Sequence, residues 1–183
     1  MRLAIGNAQW PMIWPTPYPM TTALLLGGDD PTRLLLPIVP RADRPRPTFL
    51  PPQDDPVLAG FGTLSEGTPS GYGEISRIER DPQHRTTKVV ATNAGGSQYP
   101  WGTERNTESI THEAADDHPE TTSVTGEYGT IVKLPDRTLT WEARLTFTSD
   151  RDNFYYTYVR RLLKDGALVR EKTWTDTIPR DFQ

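Results

Sequence analysis

From Leu139 to Ser149 the chain alternates: Leu139, Trp141, Ala143, Leu145 and Phe147 are apolar, and Thr140, Glu142, Arg144, Thr146 and Thr148 fill the gaps. Successive side chains leave opposite faces of a strand, so this pattern predicts a strand with one dry face and one wet face. The run from Phe154 to Leu163 is rich in aromatic and β-branched residues, which suit a pleated surface, and predicts a second strand. Asp165-Gly166 then matches the type I′ turn, whose two central residues need positive φ. A return strand runs from Ala167 to about Thr177, and Pro179 stops it by lacking a donor. Counting outward from a two-residue turn sets Leu162 opposite Val169, Arg160 opposite Glu171, and Tyr158 opposite Thr173. It also sets Arg161 opposite Arg170, a like-charge pair. Residues 139–178 thus read as a three-strand meander.

Upstream the pattern is weaker. Arg2–Ala8 reads as a strand, as do Thr21–Leu26 and Thr32–Val39, joined through Gly27–Pro31. Glu74–Arg80 and Arg85–Thr92 form a hairpin around Asp81-Pro82-Gln83. Ser109–Glu113 and Ser123–Leu134 add two more strands, and Pro135-Asp136 turns the latter into the meander. Gln9–Pro19 carries prolines at 11, 15, 17 and 19, so it should run extended and partly unpaired. Residues 41–73 read as an extended Pro/Gly-rich connection within a single domain over 1–183. No sustained helical periodicity and no internal repeat interrupts this sequence of short strands, which predicts an all-β, antiparallel sandwich or barrel.

Composition sharpens that picture. A chain of 183 residues suffices for one core. Hydrophobic residues make up 34%, with 18 Pro and 14 Gly, which fits a loop-rich β protein or a partly disordered chain and argues against a helical bundle. Seven Tyr, five Trp and five Phe favour folding over disorder. The net charge of −4 comes from well-mixed signs, so no nucleic-acid partner is expected. No cysteine is present, which excludes disulfides and thiolate chemistry. Apolar runs such as Thr22–Leu26 are far short of the roughly 20 residues of a membrane helix, so no membrane partner is expected. No secretory leader is read at the start, and the expected compartment is the cytoplasm.

Motifs for chemistry fall short. Gly95-Gly96-Ser97-Gln98-Tyr99 approaches the G-x-S-x-G elbow of α/β-hydrolases, but tyrosine replaces the last glycine and Pro100-Trp101 follows in place of a helix. It reads as a turn. His112-Glu113 and Asp116-Asp117-His118 resemble a zincin helix in composition only, since the second histidine stands at i+6 and precedes Pro119. That stretch reads as a solvated acidic loop, the alternative being an enzyme built on His112 and His118. Glu104, Glu108, Glu113, Asp116, Asp117 and Glu120 form an acidic belt beside Tyr99 and Trp101, a combination that can serve glycoside hydrolysis or sugar binding, while such acids more often keep a loop soluble. No catalytic residue, cofactor or metal ligand is assigned. The candidate binding surface comprises Trp10, Trp14, Tyr99, Trp101, His112 and His118.

Several words resemble one family. Leu3–Pro17, with its spaced Trp10-Pro11 and Trp14-Pro15, is similar to a stretch in the C-terminal domain of CocE/NonD serine hydrolases, the cocaine-esterase-like and X-prolyl dipeptidyl-peptidase-like group. Tyr99–Arg105, Ile110–Glu113, Asp116–Pro119 and Ile178–Asp181 resemble the rest of that domain in the same order. Thr16 stands where members often carry serine. The resemblance implies a galactose-binding-like jelly roll that follows an α/β-hydrolase domain carrying the Ser-Asp-His triad. Only the distal part of the jelly roll is matched, so no triad residue transfers, and an incomplete sandwich with unpaired sheet edges is implied. The expected role is a non-catalytic module, inactive alone, packing on the catalytic domain or associating with itself through those edges. The competing expectation is a free-standing carbohydrate- or protein-binding module.

Overall fold

The computed structural model describes residues 3–6, 9–18, 20–38, 45–53, 55–64 and 76–181. Among these residues eight strands form a single antiparallel sheet: β1 (Gly62–Thr63), β2 (Ser76–Asp81), β3 (Thr86–Tyr99), β4 (Gly102–Ala115), β5 (Ser123–Lys133), β6 (Thr138–Ser149), β7 (Asn153–Lys164) and β8 (Ala167–Pro179). From β3 to β8 every strand lies beside its sequence neighbours, while β1 and β2 both pair with the outer side of β3. Among the described residues helix is confined to two short 3-10 turns, Pro56–Leu58 and Pro119–Thr121. No helix among the described residues is long and apolar enough to cross a membrane. The fold is all-β, as the alternation predicts, and consists of one open sheet of an incomplete sandwich.

The register separates two faces. One, the dry face, is mainly apolar, with charges toward its margins: Val124, Phe147 and Tyr156 stand in line across β5–β7, and Leu145, Tyr158 and Trp174 across β6–β8. The other is wet. Thr111, Thr125, Thr146, Thr157 and Thr175 make one row across β4–β8, flanked by the Glu127–Arg144 pair at 2.9 Å and the Arg161–Glu171 pair. Such exposed pairs add little stability each. Among the described residues the buried apolar side chains are Val90, Ala91 and Val124 in the sheet and Pro17 in the N-terminal segment. The chain exposes 14745 Å², whereas a compact monomer of 20.6 kDa exposes about 8,900 Å². Among the described residues no second sheet packs on the dry face.

The turns follow their chemistry. Asp165 and Gly166 have φ of 51° and 80°, as a type I′ turn requires. Asp81 accepts from the backbone N–H groups of Gln83 and His84 at the β2–β3 turn, closing the hairpin expected there.

Four expectations are corrected. The β7–β8 register holds for Lys164 opposite Ala167 and Leu163 opposite Leu168, but a bulge leaves Val169 unpaired and shifts the remainder by one. Arg161 then faces Glu171, with which it bonds, rather than Arg170; Arg160 faces Lys172, Tyr158 faces Trp174, and Leu162 faces Arg170. The shift removes one like-charge pair and creates another, and Lys172 places its ammonium 4.6 Å from the Trp174 ring centroid.

Gly95-Gly96-Ser97, expected as a turn, lies inside β3 opposite Glu104–Asn106. A Cβ at Gly96 would press on the Glu104 carbonyl and Leu64, so the glycine serves a close approach between strands. The acidic belt is divided by β4, because Glu104 and Glu108 share the dry-face parity while Glu113 pairs with Lys88 on the wet face. Finally, Leu3–Gly6, Thr21–Leu26 and Thr32–Ile38 are not strands, while Arg2, Asn7, Ala8 and Val39 lie outside the described residues. Leu25 and Thr32 are hydrogen-bonded around Gly27–Pro31, but no sheet edge pairs with either flank, and Leu26 and Leu35 stay 94% and 87% exposed.

Candidate binding surfaces

The candidate residues gather at the two ends of the sheet. At the first end a proline-rich strap, Gln9–Tyr18, turns back on itself through the Ile13 N–H to Gln9 carbonyl bond and crosses the dry face. Trp14 sits edge-on to Phe147 and Phe154, with centroids 4.9 and 5.7 Å away, and its indole Nε1–H donates to Ser149 Oγ at 3.0 Å. The Ser149 hydroxyl donates in turn to the Glu120 carbonyl at 2.6 Å. Trp10 meets His112 edge-on at 6.4 Å.

Arg180 closes this end. It is buried, and its guanidinium donates to the carbonyls of Pro15 at 2.6 Å, Asp150 at 2.8 Å and Glu120 at 3.5 Å. It also lies 4.8 Å over the Phe154 ring. Local sequence sets up each acceptor. Asp150 Oδ1 accepts from the Asp152 and Asn153 N–H groups, tightening the β6–β7 turn. The Thr121 and Thr122 hydroxyls donate to His118 and Pro119 carbonyls, fixing the turn that carries Glu120. Burial pulls the Arg180 guanidinium below its ordinary value, opposed by Asp150, Tyr18 and Glu120. It remains a cation at any working pH.

The two histidines are not brought into one site. His112 lies in β4 under Trp10, whereas His118 heads the 3-10 turn and reaches Glu120 at 3.1 Å. Among the described residues no three histidine, aspartate or glutamate side chains gather as a metal would need. Burial lowers the His112 pKa from 6.5, because the imidazolium would lose solvation beneath Trp10. The unfolded chain therefore takes up a proton first, so stability falls as pH drops through about 6.5 toward the lower folded value, and is flat above it. His112→Phe should remove that slope in urea titrations between pH 8 and pH 5. The loss below about pH 4 should persist in that variant, since Asp81, Glu120 and Asp150 are all held low, by the His84 side chain, by the Glu120 backbone N–H and by the Tyr155 hydroxyl respectively.

At the other end, about 36 Å away along β4 at strand rise, stands an aromatic platform. Tyr99 and Trp101 stack with centroids 4.6 Å apart and planes 8° from parallel, and Phe61 backs Tyr99 at 5.3 Å. The platform rides on a hairpin tip stapled by Gln98 Nε2, which donates to the Tyr99 and Gly102 carbonyls. Gly102 is required there, because a Cβ would collide with the Lys133 carbonyl oxygen. Trp101 is 46% exposed and keeps a free ring surface, whereas Trp14 is folded into the scaffold. Arg180, Ser149 and Phe61 are the residues that pattern reading misses. Only the word Ile178–Asp181 pointed toward Arg180. No protein-family model, curated protein or solved structure matches the chain.

Proposed function

We propose that this chain is a non-catalytic accessory module of the CocE/NonD type of serine hydrolase. In this reading it is a single cytoplasmic domain, related to the distal part of a galactose-binding-like jelly roll. It packs against an α/β-hydrolase catalytic domain and shapes substrate access. One observation carries the reading. The words that resemble that family lie more than 160 residues apart, yet Arg180 of the last binds Pro15 of the first and Glu120 beside Asp116–Pro119. Words of separate origin would have no reason to meet at one buried cation. The Ser149 hydroxyl is committed to Trp14 and Glu120, and among the described residues no serine hydroxyl meets a histidine ring. The exposed Trp101 then supplies the contact to the catalytic domain.

Purified chain should hydrolyse neither p-nitrophenyl acetate nor an X-Pro-nitroanilide above the buffer rate, and enzyme-like turnover would overturn the proposal. A CocE/NonD catalytic domain expressed separately should bind the chain, with Trp101→Ala weakening the complex. The Tyr99–Trp101 stack also favours a second reading, a platform for the apolar face of a sugar ring. Retardation of the chain on a polysaccharide gel, lost in Trp101→Ala, would favour that reading instead.

A further inference from the structure

We propose that the dry face of the sheet pairs face to face with a second copy of this chain. Beyond the strap, no strand or 3-10 turn among the described residues lies across the dry face of β4–β8. The principal contacts between elements run only between sheet neighbours and from the Pro119–Thr121 turn to β4 and β6. A shallow groove of about 290 Å³ between Trp141, Leu162, Arg170 and Trp174 marks its β7–β8 side.

The second copy is argued from charge and size along the rows. One row across the face reads Glu108, Tyr128, Ala143, Arg160 and Lys172, from β4 to β8. It is acidic at one end, basic at the other and small in the middle. A two-fold axis along β6 at Ala143 lays Glu108 of one copy over Lys172 of the second. The same operation lays Tyr128 over Arg160, an aromatic face under a guanidinium, and Ala143 over itself. The adjacent row reads Ile110, Gly126, Leu145, Tyr158 and Trp174. There the axis sets Gly126, which has no side chain, beneath Tyr158, and Ile110 against Trp174. Both rows are self-complementary under one operator, as an isologous interface requires.

The area agrees. Five strands at about 4.8 Å and a length of about 26 Å give roughly 600 Å² in projection. Side-chain relief brings that to the order of the ~800 Å² per partner of a standard interface. The straps of the two copies then meet at one end, where Met12 and Ile13 are 82% and 59% exposed. Edge-to-edge pairing through β8 is disfavoured by its own sequence. The bulge at Val169, the charged run Arg170-Glu171-Lys172 and Pro179 are devices that keep an edge strand unpaired.

Sedimentation equilibrium in the micromolar range should give twice the 20.6 kDa mass of the chain. Glu108→Lys and Lys172→Glu should each raise the dimer dissociation constant tenfold or more, and combining them should restore it to within about threefold of the parent. Circular dichroism melts of the three variants confirm that each is folded. A carbodiimide should join Glu108 to Lys172 between copies. Within one copy these residues stand four strand spacings, about 19 Å, apart, beyond a zero-length crosslink. A monomer across that range, or a dimer indifferent to both reversals, would overturn the proposal. So would a monomer whose face binds a hydrolase catalytic domain in a Lys172-dependent manner, an outcome that leaves the accessory reading intact. Ester turnover by the chain would sink the accessory reading and leave the dimer untouched.

Discussion

Replacing Arg180 by alanine should cost about 3–4 kcal/mol of unfolding free energy, since hydrogen bonds to a charged group contribute about 1.5–3 kcal/mol each and the orphaned carbonyls stay partly buried. The residue has 7% of its surface exposed and joins the strap at Pro15, the β6–β7 turn at Asp150 and the 3-10 turn at Glu120. Alanine leaves those acceptors facing a void. Arg180→Lys should recover only part of the loss, because one ammonium cannot span three carbonyls the way a planar guanidinium does. Urea unfolding followed by tryptophan fluorescence measures both. An alanine variant within 1 kcal/mol of the parent would show that the strap is held without Arg180, through the ring contacts of Trp14 and its bond to Ser149. Limited proteolysis adds a local readout: cleavage within residues 9–18 should accelerate in the variant before the sheet itself opens.

How much of this was legible follows from the range over which each interaction acts. The β6–β8 meander was legible because alternation and Asp165-Gly166 are local signals. The bulge at Val169 was not, since the charges on the two strands do not choose between the registers: each has one opposite-charge pair and one like-charge pair. The slip changes which side chains meet, and sets the Tyr158 ring beside Trp174 with centroids 5.5 Å apart. Gly95-Gly96 was misread because glycine marks both turns and close strand approaches, and only the position of Glu104 and Leu64 decides between them. Thr21–Leu26 and Thr32–Ile38 show the converse failure. Their sequences suit strands, but a strand needs an edge to pair with, and pattern alone cannot supply one. Of the candidate residues, Tyr99 and Trp101 are near neighbours in the chain and could be grouped from the sequence, whereas the anchoring of Trp14 depends on Ser149 and Phe147, over 130 residues away.

That long-range anchoring predicts the second large effect. Trp14→Ala should cost about 3 kcal/mol, at the low end for aromatic truncation because the side chain is only half-buried. Trp14→Phe should cost about 1 kcal/mol, keeping the edge-on contacts with Phe147 and Phe154 while losing the bond to Ser149. The informative measurement is the double variant with Arg180→Ala. Trp14 and Arg180 hold the same strap, one through its ring and the other through the neighbouring Pro15 carbonyl. Once either is removed the strap is loosened, and the other contact loses much of its value. The pair should therefore be less destabilising than the sum of the singles by about 1–2 kcal/mol, the coupling expected of residues in one network. Strict additivity would mean that the strap responds to each anchor separately, and that Arg180 stabilises the β6–β7 and Pro119–Thr121 turns without help from the N-terminal segment.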